Sequence, residues 1–260
     1  MQRAEGALIR YRLALATALA ALALGFATRQ AGAAAEVHKL NLVLSAIPSS
    51  VSGGDFNAVL DTLNFDIRND GRESVDPITY AWLFQAELRY LVRPNLAIVA
   101  GVGQLKNQTE REYLPALQED IRLRAEVLSV PIHVGASYYF QPYSAGDFQA
   151  RAYAGGGFLS LVDNRVKFQR AVDSASPPPS LASWPDIAFK GDSPGFYLEA
   201  GVHMFFALRY SVLLGGLYRD ARISHMRNRA THEPVYAPDG KPFELDVSGV
   251  GVRMALAYGF

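Results

Sequence analysis

Beyond residue 35 the chain has no apolar run approaching the about 20 residues that a membrane-crossing helix needs, although half of its residues are hydrophobic. Its apolar side chains instead alternate with others along eight segments. A period of two places them on one face of a strand. In the second segment Tyr80, Trp82, Phe84, Ala86, Leu88 and Tyr90 share a face, opposite Ala81, Leu83, Gln85, Glu87 and Arg89. In the sixth, Phe196, Leu198, Ala200, Val202, Met204 and Phe206 oppose Tyr197, Glu199, Gly201, His203 and Phe205. In the last, Val250, Val252, Met254, Leu256, Tyr258 and Phe260 oppose Gly249, Gly251, Arg253, Ala255 and Gly259. One face is almost purely apolar. The other is rich in Gly and polar groups and poor in flexible Lys and Glu, which suits a crowded interior better than a wet surface. The pattern predicts one all-β domain over residues 36–260. It would be an eight-stranded antiparallel up-and-down transmembrane β-barrel, apolar outside and polar inside. A soluble lipocalin-like barrel is the alternative fold.

Residues 1–35 read as a signal peptide. Arg3, Arg10 and Arg12 precede the apolar stretch Leu13 to Ala27, and Ala31 to Ala35 offers a small-residue cleavage site. Arg29 keeps an N-terminal membrane anchor open as the alternative. Aromatics gather near the strand ends in two belts, Tyr90, Tyr138, Phe148, Phe206, Tyr210, Tyr258 and Phe260 in one, and Tyr80, Trp82, Phe158, Phe196 and Tyr218 in the other. Such belts mark the two membrane interfaces. Three connections are short: 93–95, 141–147 and 207–209. Four are long: 48–77, 106–122, 162–193 and 220–243. Short periplasmic turns and long extracellular loops are expected from this alternation.

With its signal segment, its eight strands and the ending Leu256-Ala257-Tyr258-Gly259-Phe260, the chain resembles the small eight-stranded outer-membrane β-barrels, the porin-like group with OmpA-type, OmpX-type and OmpW-type members. The resemblance implies export to the outer membrane of a Gram-negative envelope. It also implies recognition of Tyr258 and Phe260 as an assembly signal by the barrel-assembly machinery, and outer-membrane lipid and lipopolysaccharide as surroundings. It implies no activity, because fold does not fix function.

Composition removes several chemistries. There is no Cys, so disulfides, thiolate metal sites and Cys nucleophiles are excluded. Lys and Arg total 25 and Asp and Glu total 25, which leaves no charge excess to attract nucleic acid. The expected lumen charge network is Lys39, Glu87, Arg89, Arg151, Glu199 and Arg253, with the two acids bridged by the bases. It reads as a structural plug, with a polar gate for small solutes as the channel alternative. In the channel reading Pro131, which cannot donate a ladder bond, opens a lateral exit. His133 and His203 also point inward and read as hydrogen-bonded residues, with no metal or cofactor expected. His225 and His232, near Ser224 and Glu233, lack the spacing of a hydrolase triad, so no catalytic residue is assigned. Arg222, Arg227 and Arg229 of the last outer loop, next to Arg219 on the inward face of the seventh segment, could meet lipopolysaccharide phosphates. Asp55 followed by Phe56, Val59, Leu60, Leu63 and Ile67 predicts a helix in the first outer loop. Its apolar face needs cover, from neighbouring loops, or as a lid over the lumen. The glycine clusters 101–103 and 155–157 read as clearance inside the barrel, and Pro177-Pro178-Pro179 as an extended loop.

Overall fold

A computed structural model describes residues 38–69, 71–113, 121–145, 148–172, 187–206, 209–237 and 239–260. The expected signal segment and the run Pro177-Pro178-Pro179 lie outside these residues. Eight long strands form the wall: β1 (Leu40–Ser50), β2 (Tyr80–Arg93), β3 (Leu96–Tyr113), β4 (Ile121–Tyr139), β5 (Phe148–Val172), β6 (Ile187–Phe205), β7 (Tyr210–Ile223) and β8 (Gly249–Gly259). Each pairs antiparallel with its chain neighbour. β8 pairs with β1 in the register Leu42 to Tyr258 and Leu44 to Leu256, which closes the barrel. Closure removes the edges of the ring through the apolar band, while β3 beyond Lys106 pairs only with β4. The remaining short pairs, Tyr143–Ala145, Arg227–Asn228 and Leu245–Asp246, decorate its two ends.

The faces fall as the alternation predicts. Phe84, Leu88, Ile98, Val102, Ile132, Val134, Leu198, Leu214, Val250 and Val252 are exposed on the outer wall. Their inward neighbours Val43, Leu83, Glu87, Arg89, Ala97, Val99, His133, Glu199, Leu213 and Arg253 are buried. The apolar outer band is bounded by exposed aromatics: Tyr90, Tyr138, Tyr210 and Phe260 at the end with the short turns, and Tyr80, Phe158, Phe196 and Tyr218 at the other. Tyr258 stacks edge-on against Tyr210 and Phe260, with ring centres 5.2 and 5.0 Å apart.

Two expectations about the loops are corrected. Residues 106–113 and 162–172 belong to strands, and β6 begins at Ile187. β5 has 25 residues, where crossing a bilayer takes about 9–11. The wall therefore continues well past the apolar band. Its outer face there turns polar: Arg122 pairs with Glu110 at 3.0 Å and Glu112 at 2.8 Å, and Arg124 with Glu126 at 2.6 Å. The strand pattern in β5 is broken by a bulge. The β5–β6 register shifts between Leu161 and Asn164, where Asp163 takes a positive φ of 50°. Leu159 and Leu161 point inward below the shift, Asn164, Val166 and Phe168 above it. One inserted residue flips the parity. Asn164 fixes the bulge by donating to the Gly191 carbonyl at 2.6 Å and the Leu161 carbonyl at 2.9 Å.

The interior of this extension is apolar, which corrects the expectation of a polar inner face throughout. Ile47, Leu83, Leu123, Phe168, Phe189 and Phe243 form one buried cluster. Into it packs helix α1 (Asp55–Asn69) through Phe56, Leu60 and Ile67, with Val59 and Leu63 partly buried. Phe56 stacks on Phe168 at 5.0 Å and 19°. Asp55 is tied across the mouth: its carboxylate accepts from Glu244 N at 2.7 Å. Two asparagines hold the return segment. Asn64 donates to the Val75 carbonyl and accepts from its N–H, both at 2.8 Å, and Asn57 does the same for Ile78 at 2.8 and 2.9 Å.

Candidate functional site

The expected charge network assembles around four of its six residues. On β2, Glu87 and Arg89 are two apart and so point inward together. β6 contributes Glu199 and β8 contributes Arg253. All four are at most 4% exposed. Arg89 donates through Nε to Glu87 Oε1 at 2.5 Å and through Nη2 to both Glu199 oxygens at 2.8 Å. Arg253 reaches Glu87 Oε1 through Nη2 at 2.6 Å and Glu199 Oε2 through Nη1. Two acids and two bases thus form a closed, charge-balanced lattice across the lumen. Neutral groups complete it. Ser137 donates to Glu199 at 2.6 Å, Ser45 accepts from Arg253 at 2.8 and 3.1 Å, and Tyr139 accepts from Arg89 at 3.1 Å. The Arg89 guanidinium lies 4.9 Å from the Tyr153 ring centre.

Lys39 and Arg151 stand outside the lattice, which corrects that part of the expectation. Lys39 is exposed just before β1, at the end of the barrel. Arg151 is half-buried near the same end and donates to the Pro94 carbonyl at 2.8 Å and to Gln149 at 3.2 Å. Both have the inward parity but lie close to the short-turn end of the wall, Lys39 just before β1 and Arg151 near the start of β5. There a long side chain reaches water or a turn at lower cost than the barrel centre.

His133 and His203 do not converge. His133 Nε2 lies 3.3 Å from Glu87, while His203 contacts Tyr139 at 3.3 Å and Ser211 at 2.7 Å. Among the described residues no group of His, Asp and Glu is arranged to hold a metal ion. The clearance role of the glycines is visible at Gly101. A Cβ there would lie 2.6 Å from His133 Cε1 and 2.7 Å from Glu87 Cβ. Pro131 stays opposite Leu161 of β5, but the β3–β4 ladder passes from Val102–Ile132 to Leu105–Ser129 without pairing Pro131, so the expected local interruption falls on the β3 side.

The second feature is a cleft of about 380 Å³ at the end of the barrel opposite the short turns. It is lined by Lys190, Ser224, His225, Arg227, Arg229 and His232. Lys190 on β6 is paired with Arg227, and the Arg229 N–H donates to the Ala188 carbonyl at 2.8 Å, so the wall itself positions the three cations. His225 and His232 both adopt positive φ, 65° and 60°. Each such conformation costs of order 1–3 kcal/mol and is kept only where its surroundings enforce it. Ser224 and His225 are in contact at 3.0 Å, but Glu233 bonds Thr231 instead, so no triad forms. Nearby Asp163 is engaged by Arg165 at 2.5 Å. That hydrogen bond, with the fields of Lys190 and Arg229, holds its carboxyl below the usual range. Lys190, Arg227 and Arg229 form no ion pair among the described residues. Of the other expected arginines, Arg222 lies 3.9 Å from Glu244 and Asp246, and Arg219 is buried in the lumen.

No family model matches the chain, and no curated protein matches it. Several solved structures match at low identity. Neisserial surface protein A matches at 14% identity and a TM-score of 0.44, over 85% of this chain and 97% of that one. The outer membrane protein OprG from Pseudomonas aeruginosa matches at 13% and 0.46, over 88% and 99%. Ail, the attachment invasion locus protein of Yersinia pestis, matches at 11% and 0.31, over 86% and 98%. The eight-stranded assignment rests on the closed strand ladder of this chain itself.

Proposed function

We propose that this chain is a non-enzymatic outer-membrane β-barrel that does not conduct and that acts through the part of its wall lying beyond the membrane. The observation that carries the reading is the lattice of Glu87, Arg89, Glu199 and Arg253, which fills the lumen from wall to wall with α1 and its apolar cluster packed above. The apolar outer band supports placement in a bilayer, since an exposed surface of this extent is not stable in water. The change to a charged outer wall at Glu110, Arg122 and Arg124 supports a membrane boundary below them.

The basic cleft supports the loop-side role. Three cations, with two histidines beside them, suit an anionic ligand, and phosphate on lipopolysaccharide is the ligand class this location favours. In a planar bilayer the refolded protein, with barrel formation checked by heat-modifiable gel migration, should be electrically silent. Unitary steps that change on Glu87→Gln would overturn the sealed reading and restore the passive, OmpW-like small-solute channel. Replacing Lys190, Arg227 and Arg229 together by Ala should weaken binding to vesicles carrying phosphorylated lipid A about tenfold or more at low salt. Binding to vesicles of the dephosphorylated lipid should stay unchanged. Equal loss on both lipids would remove phosphate from the reading.

A further inference from the structure

The bulge in β5 decides which side chains the upper wall shows to the outside. Below it Phe158 and Ser160 face outward. Above it Asn164, Val166 and Phe168 are buried, and Arg165 and Lys167 take the outer face. Bulges re-aim side chains in this way. Asp163, at the reversal, has a positive φ, and its carboxylate accepts from Arg165 Nε at 3.0 Å and Nη2 at 2.5 Å. Two parallel bonds fix the plane of the guanidinium, and they leave Nη1 to donate elsewhere.

The re-aimed cations stand beside the basic cleft. Arg165 is opposite Lys190 on β6, and Lys190 is opposite Arg227, so the three cross the outer face as one row. Neighbouring strands lie about 4.8 Å apart, which puts the backbone of Arg165 about 10 Å from that of Arg227. In the next row Lys167 is opposite Ala188, whose carbonyl accepts from the Arg229 N–H at 2.8 Å. The Asp163 carboxylate feels Lys190 and Arg229 as well as Arg165, so both groups of cations share one field. Of these five cations, only Arg165 is ion-paired among the described residues. Glu126, opposite Lys167 on β4, is taken by Arg124 at 2.6 Å. The chain as a whole has 25 Lys and Arg against 25 Asp and Glu, so this positive excess is local.

A phosphate monoester carries a charge of about −1.5 to −2 at neutral pH. Lys190, Arg227 and Arg229 match one such group, which leaves Arg165 and Lys167 for a second. Two anions tethered in one molecule bind more tightly than two separate ones, because the second arrives at high effective concentration. We propose that the cleft and β5 form a single site for a headgroup bearing two phosphates, the first held by Lys190, Arg227 and Arg229 and the second by Arg165 and Lys167. This rests on the phosphate reading of the cleft and adds the number of phosphates and their spacing, about 10 Å. The Asp163 bulge is then a positioning device that turns Arg165 outward and fixes its guanidinium.

The test uses the full refolded chain in neutral detergent, titrated at constant ionic strength with diphosphoryl, monophosphoryl or dephosphorylated lipid A, with bound lipid counted by native mass spectrometry. Diphosphoryl lipid A should bind about tenfold or more tighter than the monophosphoryl form. Arg165→Gln with Lys167→Gln should bring that ratio down to about one. The diphosphorylated disaccharide freed of its acyl chains should compete with the lipid, and inorganic phosphate at the same concentration should not. Equal binding of the two phosphorylated lipids, with the dephosphorylated one still excluded, would overturn the two-phosphate site and leave the phosphate reading of the cleft standing. Equal binding of all three would remove both. If the double variant fails the heat-modifiability check for folding, competition on the unaltered chain decides. Displacement by inorganic phosphate as strong as by the disaccharide would mean separate single-anion sites and overturn the proposal.

Discussion

Glu199→Ala is expected to lower the unfolding midpoint of the refolded barrel by about 10 °C, the largest effect of any single charge removal in this chain. Glu199 meets both arginines and Ser137 at once, and all of them are buried. Without it, Arg89 and Arg253 share Glu87 alone, and one positive charge is left inside the wall. Breaking such a buried pair costs about 3–5 kcal/mol. Glu199→Gln keeps the shape and should cost nearly as much, because charge is the larger part of the loss. Replacing Arg89 by Met in the Glu199→Gln background should recover much of it. The lattice would then hold one acid and one base, and a double-mutant cycle would show strong coupling between the two positions. Midpoints read from heat-modifiable gel migration give the result. Additive losses at the two positions would mean that the lattice is not the cross-link described here.

The barrel was legible in the sequence where one residue in two meets lipid. Along Tyr80 to Tyr90 and Phe196 to Phe206 the outer face is uniformly apolar, and a slip of one residue would turn the charges outward. Glu87, Arg89, Glu199 and Arg253 were readable for the same reason, since the inward parity alone selects them. Parity carries no height, however. Lys39 and Arg151 have the right face at the wrong level, and only the ladder register shows that they lie at the barrel end. The extended wall was missed for two physical reasons. Above the apolar band the outer face of β3 and β4 carries ion pairs, so Lys106 to Arg122 looks like a loop by composition. In β5 the bulge at Asp163 reverses the alternation, and a pattern that reverses resembles one that ends. The helix was visible from its apolar spacing, but its cover was not. Phe168, Phe189 and Phe243 come from segments read as loops. The Asn57 and Asn64 clamps left no periodic trace, since each works through backbone groups distant in sequence. Arg219 follows the same parity: it shares the inward face of the seventh segment with Ser211 and Gly215, and β7 buries it in the lumen, away from Arg227 and Arg229.

Phe56→Ala should separate the two seals of this barrel. Phe56 is fully buried and stacked on Phe168, and truncating such a side chain costs about 3–5 kcal/mol. That cost falls on α1, which meets the wall through only a few apolar residues and the Asp55 contact with Glu244. The expected outcome is local opening. Hydrogen exchange across residues 55–79 should accelerate about 100-fold or more, and protease should cut there first. The lattice lies on β2, β6 and β8, shares no residue with the helix, and should hold. Strand amides around Glu87 and Glu199 should therefore keep their protection, and the variant should stay electrically silent. Glu199→Ala reverses this profile, with a lowered global midpoint and no selective opening of α1. If Phe56→Ala instead loosened the whole wall, the helix would be part of the barrel's core and not a separable plug. If it conducted, the charge lattice would not be the seal, and the proposed function would have to move from the surface back into the lumen.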